Sequence, residues 1–165
     1  NVSSRINGGE AEITGLEIGY SQVFDMLPAP FDGLGLQANY TNIDSNADFS
    51  SENSTVSNSV EGLSKHNANL VAFWEKEAWS VRAGYNYRSE YLDTISDTLG
   101  NPRSTKAFGT LDMQVSYEWN ESLSFFAEGL NLNGAHVEKY IVEESRLREI
   151  QEFGSRYIVG FRFNM

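Results

Sequence analysis

The chain has 165 residues, enough for one ordinary domain or for part of a larger one, and its formal net charge is −11. No basic surplus is available to neutralise phosphates, so nucleic acid is not an expected partner; the absence of Cys removes disulfides, thiolate metal sites and a Cys nucleophile. The longest apolar run, Leu70-Val71-Ala72-Phe73-Trp74, is far shorter than the roughly 18 residues of a membrane helix, which leaves membrane strands open.

Alternation with period two runs along the chain and predicts about eight strands, at 1–7, 9–26, 33–45, 62–75, 79–92, 106–119, 123–142 and 147–165. Asn7-Gly8-Gly9 reads as a tight hairpin turn between the first two. In the second strand Leu16, Ile18, Tyr20, Phe24 and Met26 oppose Glu17, Ser21 and Asp25, with Gln22 and Val23 out of phase. Leu34, Leu36, Ala38 and Tyr40 follow, against Gln37, Asn39 and Thr41. The strand through His66 is less clean, because Val71 and Phe73 fall on its polar side. Trp79, Val81, Ala83, Tyr85 and Tyr87 then face away from Ser80, Arg82, Gly84, Asn86 and Arg88. The next strand sets Leu111, Met113, Val115, Tyr117 and Trp119 against Asp112, Gln114, Ser116 and Glu118, with Phe108 as the exception. A phase change is expected near Gly129, as a bulge would cause. The region 133–153 fits either a short surface helix or extended strands with a turn near Glu144-Ser145, and the strands are preferred. In the last strand Tyr157, Val159, Phe161, Phe163 and Met165 share a face against Arg156, Arg162 and Asn164, with Ile158 misplaced. Side chains of a strand alternate between faces, so each segment has one apolar and one polar side.

Short connections (27–32, 76–78 and 120–122) alternate with long polar ones (46–61, 93–105 and 133–153). In a meander this puts tight turns at one end of the sheet and long loops at the other, as in outer-membrane barrels. Trp74, Trp79 and Trp119 all flank short turns, which suggests an aromatic girdle at a lipid–water interface. Tyr40, Tyr87 and Tyr91 lie toward the opposite end and suit a second girdle; the plainer alternative is aromatic residues closing the strands of a water-soluble core. The segment Lys106 to Trp119 would extend about 46 Å and, tilted by about 40°, cross an apolar band of about 25 Å.

Two stretches carry a family resemblance. Asn7-Gly8-Gly9-Glu10-Ala11-Glu12-Ile13-Thr14-Gly15-Leu16-Glu17, followed by Leu27-Pro28-Ala29-Pro30-Phe31-Asp32-Gly33-Leu34-Gly35, resembles late barrel strands of TonB-dependent receptors. Gly129-Leu130-Asn131-Leu132-Asn133, the charged Arg146-Leu147-Arg148 and the ending Tyr157-Ile158-Val159-Gly160-Phe161-Arg162-Phe163-Asn164-Met165 are similar to the same family's last hairpin. The order holds over essentially the whole chain and is most like the branch common in carbohydrate-scavenging proteobacteria. The family's closing strand usually ends in Phe; Met165 keeps the outward parity, with Phe163 two positions before it.

The resemblance implies an all-β antiparallel meander forming the last strands of a barrel of about 22 strands, in the bacterial outer membrane. It implies a plug domain and TonB box upstream, with residues 1–165 a C-terminal fragment of the barrel; the absence of an initiator Met and of a signal peptide agrees with that reading. The implied activity is active import of a scarce nutrient, a small molecule or an oligosaccharide, without enzymatic chemistry or a cofactor. The implied partners are the lipid bilayer, the barrel-assembly machinery reading Tyr157, Val159, Phe161, Phe163 and Met165, and the TonB complex acting through the plug. No loop motif matches a known ligand site, so no binding residue is carried over.

Other chemistry is thinly supported. His66 and His136 have no Cys or neighbouring His at ligand spacing. Ser64 and His66 share a strand face, but no third group is in view to orient a nucleophile. Gly33-Leu34-Gly35 is not a phosphate loop. Asp44, Asp48, Glu52, Glu61, Asp93 and Asp97 are oxygen-rich loop residues without calcium-ligand spacing. Arg82, Asn86, Arg88, Asp112, Gln114 and Glu128 would point into a barrel lumen, where they either meet a plug, line a solute path or are simply hydrated. Two rivals stay open: a complete eight-stranded barrel with a structural or adhesive role, and a soluble sheet protein that binds sugars.

Overall fold

The computed structural model describes residues 10–51, 54–96 and 100–164. Its strands are β1 (Ala11–Val23), β2 (Leu34–Ser51), β3 (Ser54–Asn58), β4 (His66–Lys76), β5 (Trp79–Arg88), β6 (Tyr91–Thr94), β7 (Arg103–Thr105), β8 (Phe108–Asn120), β9 (Leu123–Leu130), β10 (His136–Ile141), β11 (Glu143–Glu152) and β12 (Arg156–Phe163). The chain is all-β and antiparallel, as the alternation predicts. One sheet, the wall, has the order β1-β2-β4-β5-β8-β9-β12, with β3 folded back on the far end of β2. Among the described residues the sheet is open, with β1 and β12 at opposite edges.

Register turns the alternation into two surfaces. Leu34, Trp74, Val81, Val115, Ala127 and Val159 form one row across six strands. One residue along, Gly35, Phe73, Arg82, Gln114, Glu128 and Ile158 form the opposite row. A slip of one residue anywhere would mix these sets, so the hydrophobic pattern fixes the pairing. The apolar surface is uncovered, Val159 being 82% and Phe161 69% exposed. The buried apolar residues Ala47, Leu92, Val137 and Tyr140 all lie instead toward the long-loop end.

Two aromatic residues on the polar face, Phe73 and Phe126, have a common explanation. The Phe73 ring lies over Gly35 and the Phe126 ring over Gly160, each filling space that a Cβ on the glycine would need. An inward aromatic on one strand thus covers the bare backbone of its neighbour.

Connections alternate as expected. Glu77-Ala78 and Glu121-Ser122 form two-residue links, Glu77 having φ 53°. At the other end the predicted strands need correction. The segment 79–92 breaks after Arg88 and resumes at Tyr91, and 62–75 begins only at His66. The segment 123–142 is not continuous, and no bulge occurs at Gly129; β9 stays regular to Leu130 and the chain turns at Asn131, whose φ is 53°. The segment 147–165 divides at Gly154, φ 64°. The region 133–153 is extended rather than helical, but its turn falls at Val142, φ 66°, instead of Glu144-Ser145.

These interrupted pieces pair into a second sheet, β11-β10-β7-β6. It builds on the long-loop end of the wall. The predicted strand 1–7, the Asn7-Gly8-Gly9 turn and Met165 lie outside the described residues.

Candidate functional site

The polar face of the wall is a graded surface. At its centre Asn39, Asn69 and Asn86 form a cross-strand row, with the Asn69 amide donating to Asn86. Toward the short turns Arg82 stands 5.8 Å from the centre of the Phe73 ring. Arg82, Asp112, Gln114 and Glu128 border a groove of about 230 Å³. The six residues expected to face a lumen therefore do share one face, since 82, 86, 88, 112, 114 and 128 sit in the polar rows.

At the long-loop end Arg88 organises the surface. Its Nε donates to Ser64 Oγ at 2.6 Å and its Nη2 to the Gly62 carbonyl. The guanidinium lies 3.8 Å from the centre of the Tyr91 ring. Ser64 is almost completely buried, and a buried hydroxyl needs such a partner. The segment leading into β4 is thereby tied to the wall and Tyr91 is held against Arg88.

Beside this cluster is a cleft of about 340 Å³, bordered by Ser45, Asn58, Ser59, Glu90, Tyr91 and Ser104. It lies between the extension of β2, the segment after β3, and the second sheet. Tyr140 donates to Glu90 at 2.6 Å behind it. Burial raises the Tyr140 phenol above its ordinary pKa, and the neighbouring Glu90 carboxylate adds to the effect.

Ion pairs hold the second sheet together. Asp93 takes Arg103 at 2.6 Å and Lys139 at 3.4 Å. Lys106 meets Glu138 at 2.9 Å, and His136 approaches the same carboxylate at 2.9 Å. The Lys106 hydrogen bond holds the Glu138 carboxyl below its ordinary value, helped by His136, and Glu138 in turn raises Lys106.

A corner joins the two sheets. The Asn131 side chain accepts from Ala135 N at 2.9 Å and donates to the Ala135 and Gly154 carbonyls. Asp112 Oδ1 accepts from Asn131 N at 2.8 Å. Nothing in the alternation marks Asn131 and Asn133 as structural; an Asn at a strand end, a residue type that tolerates positive φ, was the available signal.

The short-turn end is simpler. Trp74 donates its indole N–H to the Pro30 carbonyl at 2.8 Å, and Lys76 pairs with Asp32 at 2.6 Å. That hydrogen bond lowers the Asp32 carboxyl below its ordinary value. Trp79 and Tyr117 are 4.6 Å apart and Tyr117 and Trp119 6.3 Å, ring centre to centre. All three Trp thus gather near the short turns.

The remaining candidates disperse. His66 Nδ1 faces Tyr40 Oη at 2.8 Å and Asn42 Nδ2 at 3.0 Å, whereas Ser64 is engaged by Arg88. Asp44 meets Lys65, Asp48 accepts from Ser57, and Glu61 accepts from Thr94 and Ile95. Among the described residues no three carboxylate or imidazole groups gather as a metal site. Glu52 and Asp97 lie outside those residues.

A family model described as TonB dependent receptor-like, beta-barrel, matches residues 1–132. Among solved structures, the chain is similar to the siderophore receptor PiuA from Acinetobacter baumannii, with a TM-score of 0.67 and 17% identity. That likeness covers 94% of this chain and 22% of the receptor, and at this identity it is a likeness of fold. No curated protein matches.

Proposed function

Because the chain belongs to the TonB-dependent receptor-like β-barrel family, we propose that it is the C-terminal arc of an outer-membrane barrel of about 22 strands, importing a scarce nutrient with energy delivered through TonB. The wall sheet supplies the supporting observation. Its continuous outer row from Leu34 to Val159 is apolar and uncovered, while the row beside it carries Arg82, Gln114 and Glu128. Water would penalise the first surface and hydrocarbon the second; a barrel wall satisfies both. The edges at β1 and β12, open among the described residues, are tolerable in a membrane only when further strands cover them.

On this reading the second sheet stands on the extracellular side and the short turns in the periplasm. Trp74, Trp79 and Trp119 form the periplasmic aromatic girdle. The outward residues Tyr157, Val159, Phe161 and Phe163 of β12, with Met165 following them in sequence, are the ones that the barrel-assembly machinery reads. A plug upstream carries the TonB box, and the cargo is a small molecule or an oligosaccharide that passes unchanged, without catalysis.

Uptake in matched strains with and without TonB tests the transport claim. Import that disappears without TonB, with the receptor still present in the outer-membrane fraction, is the expected result. Import at the same rate in both strains would sink the reading.

A further inference from the structure

We propose that Tyr40, Asn42 and His66 form a binding site for the phosphorylated headgroup of an outer-leaflet lipid, on the lipid-facing side of the wall; this rests on the receptor reading and goes beyond it. The register puts the three together. Ile18, Tyr40, Ala68 and Tyr87 make one cross-strand row, and Leu16, Asn42 and His66 the next. Both rows share the parity of Leu34 and Trp74, so they belong to the uncovered apolar surface and not to the polar one. His66 and Trp74 lie at opposite ends of β4. Their separation is about 26 Å along the strand and, with a tilt of about 40°, about 20 Å across the membrane. An apolar band of about 25 Å has its far border close to that height.

Hydrogen bonding fixes what the trio offers. Tyr40 Oη stands 2.8 Å and Asn42 Nδ2 3.0 Å from His66 Nδ1, and the Tyr40 and His66 rings stack at 6.1 Å with 16° between their planes. An amide nitrogen only donates, so Nδ1 accepts and the neutral ring carries its proton on Nε2. That N–H has no acceptor among the described residues. Hydrocarbon would leave it unpaired, which is unfavourable, whereas a headgroup oxygen satisfies it.

Charge selects the phosphate. Lys65, the residue before His66, pairs with Asp44 at 3.7 Å, and the two side chains are 61% and 82% exposed. Such an exposed pair contributes little and exchanges readily. A phosphate offers the Nε2 N–H a charged acceptor and Lys65 a stronger partner than the loosely held carboxylate. Arg88 does not compete, since it has the opposite parity and is held by Ser64 and Gly62. Asp44 opposes the phosphate, so neutralising it should strengthen binding.

The test is native mass spectrometry of the full-length receptor, released from micelles containing bisphosphorylated lipid A, dephosphorylated lipid A, or lipid A with inorganic phosphate as competitor. Lipid A should stay bound, and removing its phosphates should weaken retention about tenfold, the scale of one charge-assisted hydrogen bond. His66→Ala should lose a similar factor. His66→Gln, which keeps an N–H donor near the Nε2 position, should retain most of the binding, and Asp44→Asn should bind more tightly than wild type. Lys65→Met, just outside β4, should weaken retention severalfold and guards against misfolding of the His66 variants; heat-modifiable gel migration reports folding of each. Equal retention of phosphorylated and dephosphorylated lipid, or wild-type retention in His66→Ala, overturns the site. Displacement of lipid A by an equal concentration of inorganic phosphate would mark an anion site without lipid selectivity and overturns it too. Any of these results leaves the receptor reading standing where import still depends on TonB; TonB-independent import removes that reading itself.

Discussion

The side-chain amide of Asn133 donates to the Gly109 carbonyl at 2.7 Å, while its oxygen accepts the Leu111 N–H at 3.0 Å. One carboxamide thus stands in for a peptide group. The chain of β9 turns away at Asn131, and without Asn133 the start of β8 would lose its ladder partners on that side. Leu132 N adds a backbone hydrogen bond to Leu111 O at 2.7 Å. The wall is continued by a side chain where the backbone has left it.

Replacing that carboxamide should therefore loosen β8 at its upper end. Asn133→Ala strands one donor and one acceptor, a loss of about 1–2 kcal/mol. Asn133→Asp retains the acceptor for Leu111 N but not the donor to Gly109, and should fall between. Hydrogen exchange of the Leu111 amide in the lipid-embedded receptor measures this; unchanged protection in Asn133→Ala would contradict it.

Glycine–aromatic pairing makes a second expectation. Gly35→Ala places a methyl group in the volume of the Phe73 ring and should cost about 1–3 kcal/mol. Gly84→Ala meets only a Val71 methyl at 3.8 Å, an ordinary contact, and should be far milder. Combining Gly35→Ala with Phe73→Ala should recover part of the loss, so a double-mutant cycle in urea reads the coupling directly.

Facing assignments can be tested at adjacent positions of β8. Val115→Arg puts a charge in the apolar outer row and should cost roughly 2–4 kcal/mol, as midplane arginines do. Gln114→Arg, beside Glu128 in the polar row, should cost much less. Equal losses in a lipid refolding assay would undo the facing assignment.

Acid should act first on the second sheet. Glu138 is held below its ordinary value of 4.5 by Lys106 and His136. A depressed carboxyl contributes stability above its unfolded pKa and loses it as pH falls through the folded value. Below about pH 4.5 the hairpin β10–β11 should become progressively more susceptible to protease, and Glu138→Gln should flatten that dependence. At the alkaline end Lys106, raised by the same contact, contributes below its ordinary 10.5 and loses that contribution as pH rises through its folded value. A hairpin whose proteolysis ignores pH from 3 to 6 would rule the contact out as a stabiliser (~3–6 being the carboxyl titration range).

Much of the wall was legible in the sequence because strand geometry is a local rule. Successive residues face opposite ways, so Val81, Val115 and Val159 declare their side without reference to any partner. Short and long connections likewise announce which strand ends lie together. Even the inward Phe73 was visible as an exception, although its reason, the bare Gly35 on the next strand, appeared only with register. Other features have no local signature. Arg88 finds Ser64 across 24 residues, Tyr140 finds Glu90 across 50, and Lys139 finds Asp93 across 46. These contacts break the predicted long strands into a second sheet and shape the cleft at Tyr91. The amino-acid order by itself determined two faces and a hairpin rhythm, because the pleat requires nothing else. Tertiary structure decided where strands leave the wall and which polar groups converge, because burying Ser64 and turning at Asn131 depend on partners that only folding brings within hydrogen-bond reach.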